Sequence, residues 1–537
     1  MRPLTLRQRS FKADEISYLD RKSIQLDRML LKLFELLRFD GRPVVRARRK
    51  VIDIDSLVAL MQANPERFPG FNDYPEVARA WLKSNLLEIM RRGRTGQETV
   101  VGPRPFHLNA FKLINPKAAQ DYGASTQVWA MLYHADPTLL ERLKEFFGKG
   151  LDTTSDQYDG TTVLDIETLA VLSLCDQVPV YTATTRVPEP VRPLCLRQGR
   201  LLSDDLRRLL AYEDVVPRHV LAGYVRTVIG LHLSLYMLRL LRLLPDWVSV
   251  AERNAPASAC NVDEGPTHNE GVCPFDAEIV VDLTDDRTSP SAALAGASAA
   301  EHFDRIPGYV RAVVLINRLK EFAAVQTAAS KRAPARTAQD LLAILQQPPS
   351  EMDGFFAARI ADVLTLDRDE EEDPAVLAVL QMEDLSPLQQ YVELVCMQVM
   401  KVERKRVVDL LDSLTQKNRS GGLLRQSAGA RSQRWFALGS GLLETLIQIA
   451  VIERDPDGAV RSRNLLLDEF EEWLRTRYGL VIYAPAHRDV PPEEQEGWRL
   501  NELALRQRLH QIGFFIDLSD AYNSQTLRPR YQVCTSA

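Results

Sequence analysis

Residues 220–248, VLAGYVRTVIGLHLSLYMLRLLRLLPDWV, form the longest strongly apolar stretch of the chain. The apolar run is nearly continuous, as in a helix that protein surrounds on all sides. Charged or titratable side chains interrupt it, among them Arg226, His232, Arg239 and Arg242. A charge near the centre of a bilayer costs at least about 2.5–3.5 kcal/mol. The stretch therefore predicts a buried core helix and not a membrane span.

The rest of the chain has the composition of a soluble globular protein. Its 537 residues are 45% hydrophobic and 26% charged, and the formal net charge is −5. That length corresponds to about three or four domains. The near-neutral charge excludes a uniformly basic nucleic-acid-binding protein, but it does not exclude local basic patches. Six scattered cysteines and the lack of a secretory signal lead us to expect a cytoplasmic location.

Helical periodicity extends outward from the apolar stretch and predicts a mainly α, multidomain protein. It recurs over residues 23–37, 76–91 and 388–414, while 278–283, EIVVDL, predicts a short β element. We divide the chain into an N-terminal helical domain (1–180), a central helical domain (181–345) with an irregular insertion (252–276), a helical linker region (346–435) and a winged-helix-like domain (436–537). The linker region carries an acidic run at 367–373 and a basic, glycine-containing segment.

The C-terminal region has the element order of a winged helix. Helices are expected over residues 440–451, 465–478 and 500–512, and strands over 514–516 and 531–533 on either side of a polar turn. In that fold the third helix enters a major groove and the wing touches phosphates. The same fold also docks proteins. Both uses stay open, because several glutamates lie close to the basic side chains of the third helix.

Two further segments carry local positive charge. Residues 42–50 form a basic loop. It is either a solvent-exposed loop without a binding role or a strip that contacts phosphates. Residues 401–434 hold nine basic and only three acidic side chains, and the glycines of the later part indicate an arm that orders on a polyanion. The candidate DNA-binding residues are Arg42, Arg46, Arg48, Arg49, Lys50, Arg419, Arg425, Arg431, Arg434, Arg506, Arg508, Arg528 and Arg530.

A metal site is considered at two places. Cys260, His268 and Cys273 have the spacing Cys-x7-His-x4-Cys, and thiolates with imidazole are zinc ligands. A fourth ligand and a Cys-x2-Cys pair are missing, so we expect no cofactor, with a structural zinc ion as the alternative. Carboxylates around 276–286 (Asp276, Glu278, Asp282, Asp285 and Asp286) invite comparison with a metal-dependent nuclease. The lysine of the common nuclease core is absent, and acidic flanks of an edge strand are the other interpretation.

Five short C-terminal stretches resemble a known family. They are LDEF (467–470), WLRTRYG (473–479), LRQRL (505–509), GFF (513–515) and DLSDA (517–521). Together they are similar to large accessory, non-ATPase subunits of multigene bacterial antiphage systems, of the methylation-associated or phosphorothioation-dependent restriction type. The resemblance covers about the last eighty residues. It implies partner subunits, among them a DNA-translocating ATPase, and it transfers no catalytic residue.

These observations lead to one main hypothesis and two alternatives. The first is a non-catalytic scaffold or DNA-engaging accessory subunit of a bacterial antiphage defence complex, working with a DNA-translocating ATPase or a nuclease. The second is a metal-dependent nuclease that uses the carboxylates near 276–286. The third is an adaptor that binds only proteins. The sequence contains no catalytic motif, which favours the non-enzymatic readings.

Overall fold

A computed structural model describes residues 4–5, 8–45, 53–92, 97–178, 182–185, 187–255, 278–330, 335–364, 374–429, 433–454, 459–484, 490–515 and 526–535. The fold of these residues is mainly α-helical with a few short sheets, which confirms the predicted fold class. The four-domain division and the winged helix stay predictions.

The helices follow one another along the whole chain. In order they are α1 (Leu26–Arg38), α2 (Ile54–Ala63), α3 (Pro75–Trp81), α4 (Ala124–Ala135), α5 (Pro137–Phe147), α6 (Ile166–Cys175), α7 (Leu196–Leu210), α8 (Arg218–Glu252), α9 (Pro290–Phe303), α10 (Ile306–Ser330), α11 (Ala338–Gln346), α12 (Glu351–Leu364), α13 (Pro374–Leu380), α14 (Pro387–Leu414), α15 (Ser440–Ala450), α16 (Leu467–Tyr478) and α17 (Pro492–Gln511). A π-helical turn (Leu82–Leu86) follows α3, and a 3₁₀ helix (Leu108–Leu113) precedes α4.

The strands are short and pair in small sheets. They are β1 (Val44–Val45), β2 (Leu87–Arg92), β3 (Gln97–Pro103), β4 (Leu151–Asp152), β5 (Gln157–Tyr158), β6 (Thr182–Ala183), β7 (Ile279–Val280), β8 (Leu424–Gln426), β9 (Arg434–Phe436), β10 (Ile452–Arg454), β11 (Val460–Ser462), β12 (Leu465–Leu466), β13 (Leu480–Val481), β14 (Thr526–Leu527) and β15 (Cys534–Thr535). The antiparallel pairs are β1–β6, β2–β3, β4–β5, β8–β9, β10–β11, β11–β15 and β12–β14, and β7 pairs with β13 in parallel.

Helix α8 is the core helix that the apolar stretch predicts. It continues through Pro245, and it is long and apolar enough to cross a membrane by length and composition. However, 94% of its apolar window is buried inside the fold. It packs against α7, α10, α11, α14 and α15. Buried apolar side chains from Leu4 to Val533 join around it in one contiguous cluster.

The predicted helix over residues 76–91 is wrong in its second half. Helix α3 ends at Trp81, and after the π-helical turn the chain enters β2, which pairs with β3 from Leu87↔Pro103 to Arg92↔Gln97. Leu86 and Leu87 are buried in this arrangement, as they would be on one face of a helix. The partner strand, which supplies the hydrogen bonds, lies further along the chain, so local periodicity could not reveal it.

The strand pairing after α17 also differs from the expected pair of 514–516 with 531–533. Phe515 forms an isolated bridge with Leu527, and β14 pairs with β12. The last strand, β15, joins β11 in a three-stranded sheet with β10. The expected short element near 278–283 is confirmed as β7, which lies beside β13 of the C-terminal region.

A buried polar network joins α7, α8 and α16. The Asp205 carboxylate accepts hydrogen bonds from His232 Nε2 at 2.7 Å and from the Tyr478 hydroxyl at 2.6 Å, and it pairs with Arg477. Gln198 donates to the other ring nitrogen of His232, so the ring is neutral. Burial opposes ionisation of Asp205, but Arg477 and His232 outweigh burial and lower its pKa to about 2.

His107 is a second buried imidazole that stays neutral. Its Nδ1 accepts the Asn109 N–H at 3.2 Å, and its Nε2 lies 3.2 Å from the Lys149 carbonyl oxygen, which leaves the ring one proton. Burial, reinforced by the Arg218 guanidinium, lowers its pKa to about 3. The ordinary value of about 6.5 applies in the unfolded chain. The unfolded state therefore takes up a proton at a pH where the folded state does not.

We expect this difference to make the protein sensitive to mild acid. The stabilisation from neutral His107 is fully present above pH 6.5 and is lost as the pH falls towards 3. At pH 5 we expect the free energy of unfolding to be about 2 kcal/mol lower than at neutral pH because of this group. In His107→Asn, the amide can still accept the Asn109 N–H but does not titrate. Urea unfolding at pH 7.5 and pH 5 should show a smaller stability difference in the variant, by about 2 kcal/mol. An unchanged difference would contradict the assignment.

Candidate functional site: a polar cleft and a basic groove

A cleft of about 880 Å³ lies at the junction of α1, α8, α14 and α15. We call it the central cleft. Its walls are the start of α1, the first turns of α8, the end of α14, the turn that follows α14 and the start of α15. The lining side chains that carry charge are Asp27, Arg226, Asp409, Asp412, Lys417, Arg419 and Glu444.

Most of these charges are already paired. Arg226 contacts Asp27 at 2.6 Å, Lys417 contacts Asp412, and Glu444 accepts the Tyr224 hydroxyl at 2.6 Å and pairs with Arg530. Asp409 pairs with Lys405 at 2.6 Å. Arg419 is exposed and has no carboxylate partner among the described residues. It is therefore the cation of the cleft that is available to a ligand.

The turn between α14 and β8 fixes the position of Arg419. Gln416 and Asn418 adopt positive φ angles of 47° and 62°, and the turn then passes close to the start of α15. The Ser420 carbonyl oxygen accepts the first N–H groups of that helix, from Gly441 at 2.9 Å and Leu442 at 3.1 Å. A Cβ at Gly439 would lie only 2.1 Å from the same oxygen, so this close approach requires glycine.

A second recess, which we call the basic groove, continues from the central cleft. Its volume is about 660 Å³, and it shares Ser23 and Asp409 with the cleft. The remaining lining residues are Arg21, Lys22, Lys401, Val402, Lys405 and Arg406. Apart from Asp409, the acidic residue of this stretch of α14 is Glu403, which is buried and neutralised by Arg21 at 2.7 Å and Arg406 at 2.9 Å.

One face of α14 carries three exposed cations, of which Lys401 and Lys405 line the groove and Arg404 lies beside them. Lys401, Arg404 and Lys405 are spaced i, i+3 and i+4, which brings them to the same side of a helix. All three side chains are exposed, and Lys22 from the loop before α1 lies exposed across the groove, above the Tyr122 ring at 4.9 Å. The groove and the cleft adjoin at Ser23 and Asp409, and basic side chains outnumber acidic ones in their combined lining.

The structure brings several sequence-predicted residues to the central cleft. Arg419 lines the cleft directly. Arg434 and Arg530 do not line it, but each pairs with a carboxylate that does. Arg434 makes two parallel hydrogen bonds to Asp412, at 2.8 and 2.9 Å, and Arg530 pairs with Glu444. Arg419 and Arg434 come from the basic segment at 401–434, and Arg530 comes from the C-terminal region. The fold therefore brings together two groups of candidate residues that are distant in sequence.

Arg425 and Arg508 meet at a different place. Arg508 contacts Asp285 at 2.5 Å and donates to the Leu438 carbonyl at 2.7 Å, while Arg425 lies 3.6 Å from the same aspartate. Arg508 is only 9% exposed, because α17 packs on α9. These two arginines therefore hold α17, β8 and the loop after β7 together.

The remaining predicted residues lie apart or outside the described residues. Arg42 donates to the Phe39 carbonyl at 2.9 Å, Arg506 pairs with Glu502 on its own helix, and Arg528 is exposed. The residues that lie outside the described part of the chain are Arg46, Arg48, Arg49, Lys50, Arg431, Cys260, His268 and Cys273. The zinc alternative rests entirely on the last three of these.

The described carboxylates near 276–286 offer no support for a nuclease site. Asp282 is buried, and its Oδ1 accepts the N–H and hydroxyl of Thr284. Asp285 is occupied by Arg508. Within the described residues there is no group of three or more His, Cys, Asp and Glu side chains that could hold a metal ion. Asp276 lies outside those residues.

The predicted set omitted several cations that line the two recesses, among them Lys22, Arg226, Lys401 and Lys405. The last two belong to the segment whose local charge balance is strongly positive, and their helical spacing was available as a signal. For Lys22 and Arg226 the local signal is weak, since Lys22 has only Arg21 beside it and Arg226 is a lone basic residue in an apolar stretch. The packing of α8 and of the loop before α1 against α14 brings them to the recess.

A comparison with protein families identifies the wider context of this fold. Residues 6–531 match the family model of the methylation-associated defense system protein MAD7. The chain belongs to this family. Membership confirms the defence-system subunit that the C-terminal resemblance implied, and it selects the methylation-associated type. It also indicates that other subunits of a multigene system accompany the protein. No curated protein matches the chain.

Proposed function

We propose that this member of the MAD7 family is a non-catalytic accessory subunit that engages nucleic acid through the basic groove and the central cleft. The observation that carries the proposal is the exposed face of Lys401, Arg404 and Lys405 on α14, which continues past Lys22 to Arg419. Lys401, Lys405 and Lys22 line the groove, and Arg419 lines the adjoining cleft. Asp27, Asp412 and Glu444 are paired with other cations, and Lys405 itself neutralises Asp409.

Elementary electrostatics supports a phosphate backbone as the ligand. Each lysine or arginine that neutralises a phosphate releases condensed counterions, so binding weakens as salt rises. Cations on one helix face and along one groove can meet successive phosphates of a strand. A net charge of −5 for the whole chain does not oppose this, because screening limits the effect of distant charges to about 10 Å at moderate salt.

Replacement of the α14 cations should reduce both affinity and salt dependence. For Lys401→Gln/Arg404→Gln/Lys405→Gln we expect weaker DNA binding and a slope of log K against log salt that is smaller by about two to three. Fluorescence anisotropy with labelled single-stranded and duplex DNA over a salt series measures both quantities. The control is Arg142→Gln/Arg463→Gln/Arg499→Gln, three arginines that line neither recess, of which Arg499 is exposed and the other two are partly exposed.

The outcome separates the proposal from its alternatives. Wild-type protein without salt-sensitive DNA affinity, or an equal loss in the control variant, would contradict DNA engagement by this surface. Co-purification of the wild-type protein with an ATPase subunit of the same system, together with absent DNA binding, would favour the adaptor instead. Co-purification together with binding that depends on the α14 cations is the result that we expect.

A further inference from the structure

We infer that the central cleft receives a single nucleic-acid strand and not a duplex. This inference rests on the proposed function and deepens it by naming the form of the ligand. The volume of about 880 Å³ falls in the range of about 300–1,000 Å³ that encloses small ligands. A cleft of that size accommodates one or a few nucleotides. A duplex is a stiff rod and can touch only its rim.

The turn at the floor of the cleft offers donors for a phosphate. The N–H groups of Ser420 and Gly421 make no hydrogen bond to any other described residue, although their neighbours Arg419 and Gly422 both donate within the turn. Both residues line the cleft, next to the Arg419 side chain. Successive N–H groups in a turn form anion-binding concavities, and an adjacent guanidinium adds charge and further donors.

The acidic side chains of the cleft favour unpaired bases over a duplex. Asp27 is half exposed and keeps acceptor capacity beyond its partner Arg226, since an ionised carboxylate has about four acceptor positions, whereas Lys417 and Arg434 occupy most of those of Asp412. Exocyclic amino groups of adenine and cytosine are donors that reach such acceptors. In a duplex, base pairing occupies the Watson–Crick edges that carry these groups. In a single strand those edges are available.

Helix α8 forms one wall of the cleft, and a substitution on this wall can fill the cleft with a large side chain. Gly223 lies on α8 and lines the cleft, and a Cβ at this position would meet no atom within 4 Å. A larger side chain can therefore project into the recess without displacing neighbouring atoms at its base. Glycine is also a poor helix former, so its replacement within α8 favours the helix. Gly354 on α12 is equally open, exposed and remote from the cleft, which makes it a matched control.

The test compares Gly223→Trp with Gly223→Ala, Gly354→Trp and Arg419→Gln. The probes are a short labelled single-stranded oligodeoxynucleotide and the duplex of the same sequence. We expect wild type to prefer the single strand, and Gly223→Trp to bind it at least about tenfold more weakly while duplex binding changes little. Gly223→Ala and Gly354→Trp should bind as wild type does. Arg419→Gln, an exposed substitution, should weaken single-strand binding several-fold even if Gly223→Trp folds poorly.

Two results would overturn the inference, and they are distinguishable. Equal or tighter duplex binding by wild type, with single-strand binding unchanged in Gly223→Trp and Arg419→Gln, rejects the cleft as a strand site. In that case the dependence on Lys401, Arg404 and Lys405 still upholds the proposed function. Absence of binding to both probes by wild type rejects the proposed function, and the inference falls with it.

Discussion

Asp205→Asn is expected to destabilise the fold by about 3–5 kcal/mol, the usual cost of removing one partner from a buried ion pair. Asp205 is fully buried, and its two oxygens receive donors from His232, Arg477 and Tyr478. An amide keeps one acceptor oxygen and adds two donors, so at least one of these partners would face another donor. Urea unfolding of wild type and variant at pH 7.5 measures the loss.

A surface pair gives the control for this prediction. Glu496→Gln removes the exposed partner of Arg499 on α17 and should leave the urea midpoint essentially unchanged, because solvent screens an exposed pair. Similar losses in both variants would show that Asp205 is not a buried anchor between α7, α8 and α16. Since its folded pKa of about 2 lies below the ordinary value of 3.8, this contribution is present above pH 4 and lost as the pH falls towards 2.

Asn501→Leu is expected to cost about 4 kcal/mol. The Asn501 side chain is buried on α17 and serves three backbone groups: it accepts the Leu283 N–H and donates to the carbonyls of Val281 and Ile482, each at 2.8 Å. Leucine has a similar shape but no polar atoms. Each buried group left without a partner costs about 1–3 kcal/mol. Thermal and urea unfolding measure the effect.

The same helix offers a matched control. Gln495 is exposed on α17, and Gln495→Leu should change stability by no more than about 0.5 kcal/mol. If Asn501→Leu were as mild as this control, Asn501 would not join α17 to the β7–β13 pair. The expected loss also tests the position of β7, because the Leu283 N–H lies just beyond that strand.

Local signals predicted the helical framework well. The helix ends carry typical local signals: Ser386 caps α14 with Pro387 at its first position, and Gly479 ends α16 with a φ of 75°. Such signals involve residues within one helical turn of each other. The β2–β3 hairpin was missed because its hydrogen bonds join separate stretches. Of the candidate DNA-binding residues, Arg419, Arg434 and Arg530 converge on the cleft, whereas Arg508 is buried between α17 and the loop after β7.

The sequence by itself determined a mainly helical protein built around a buried apolar helix, with positive charge concentrated near the end of α14. Helical periodicity and capping depend on residues that are close together along the chain, so the sequence is sufficient to reveal them. Only the tertiary structure decided which charges are available to a ligand. Arg226 is paired with Asp27, which lies 199 positions away, while Arg419 has no described carboxylate partner. Ion pairing depends on distances of a few ångströms in space, and the folding of distant segments sets those distances.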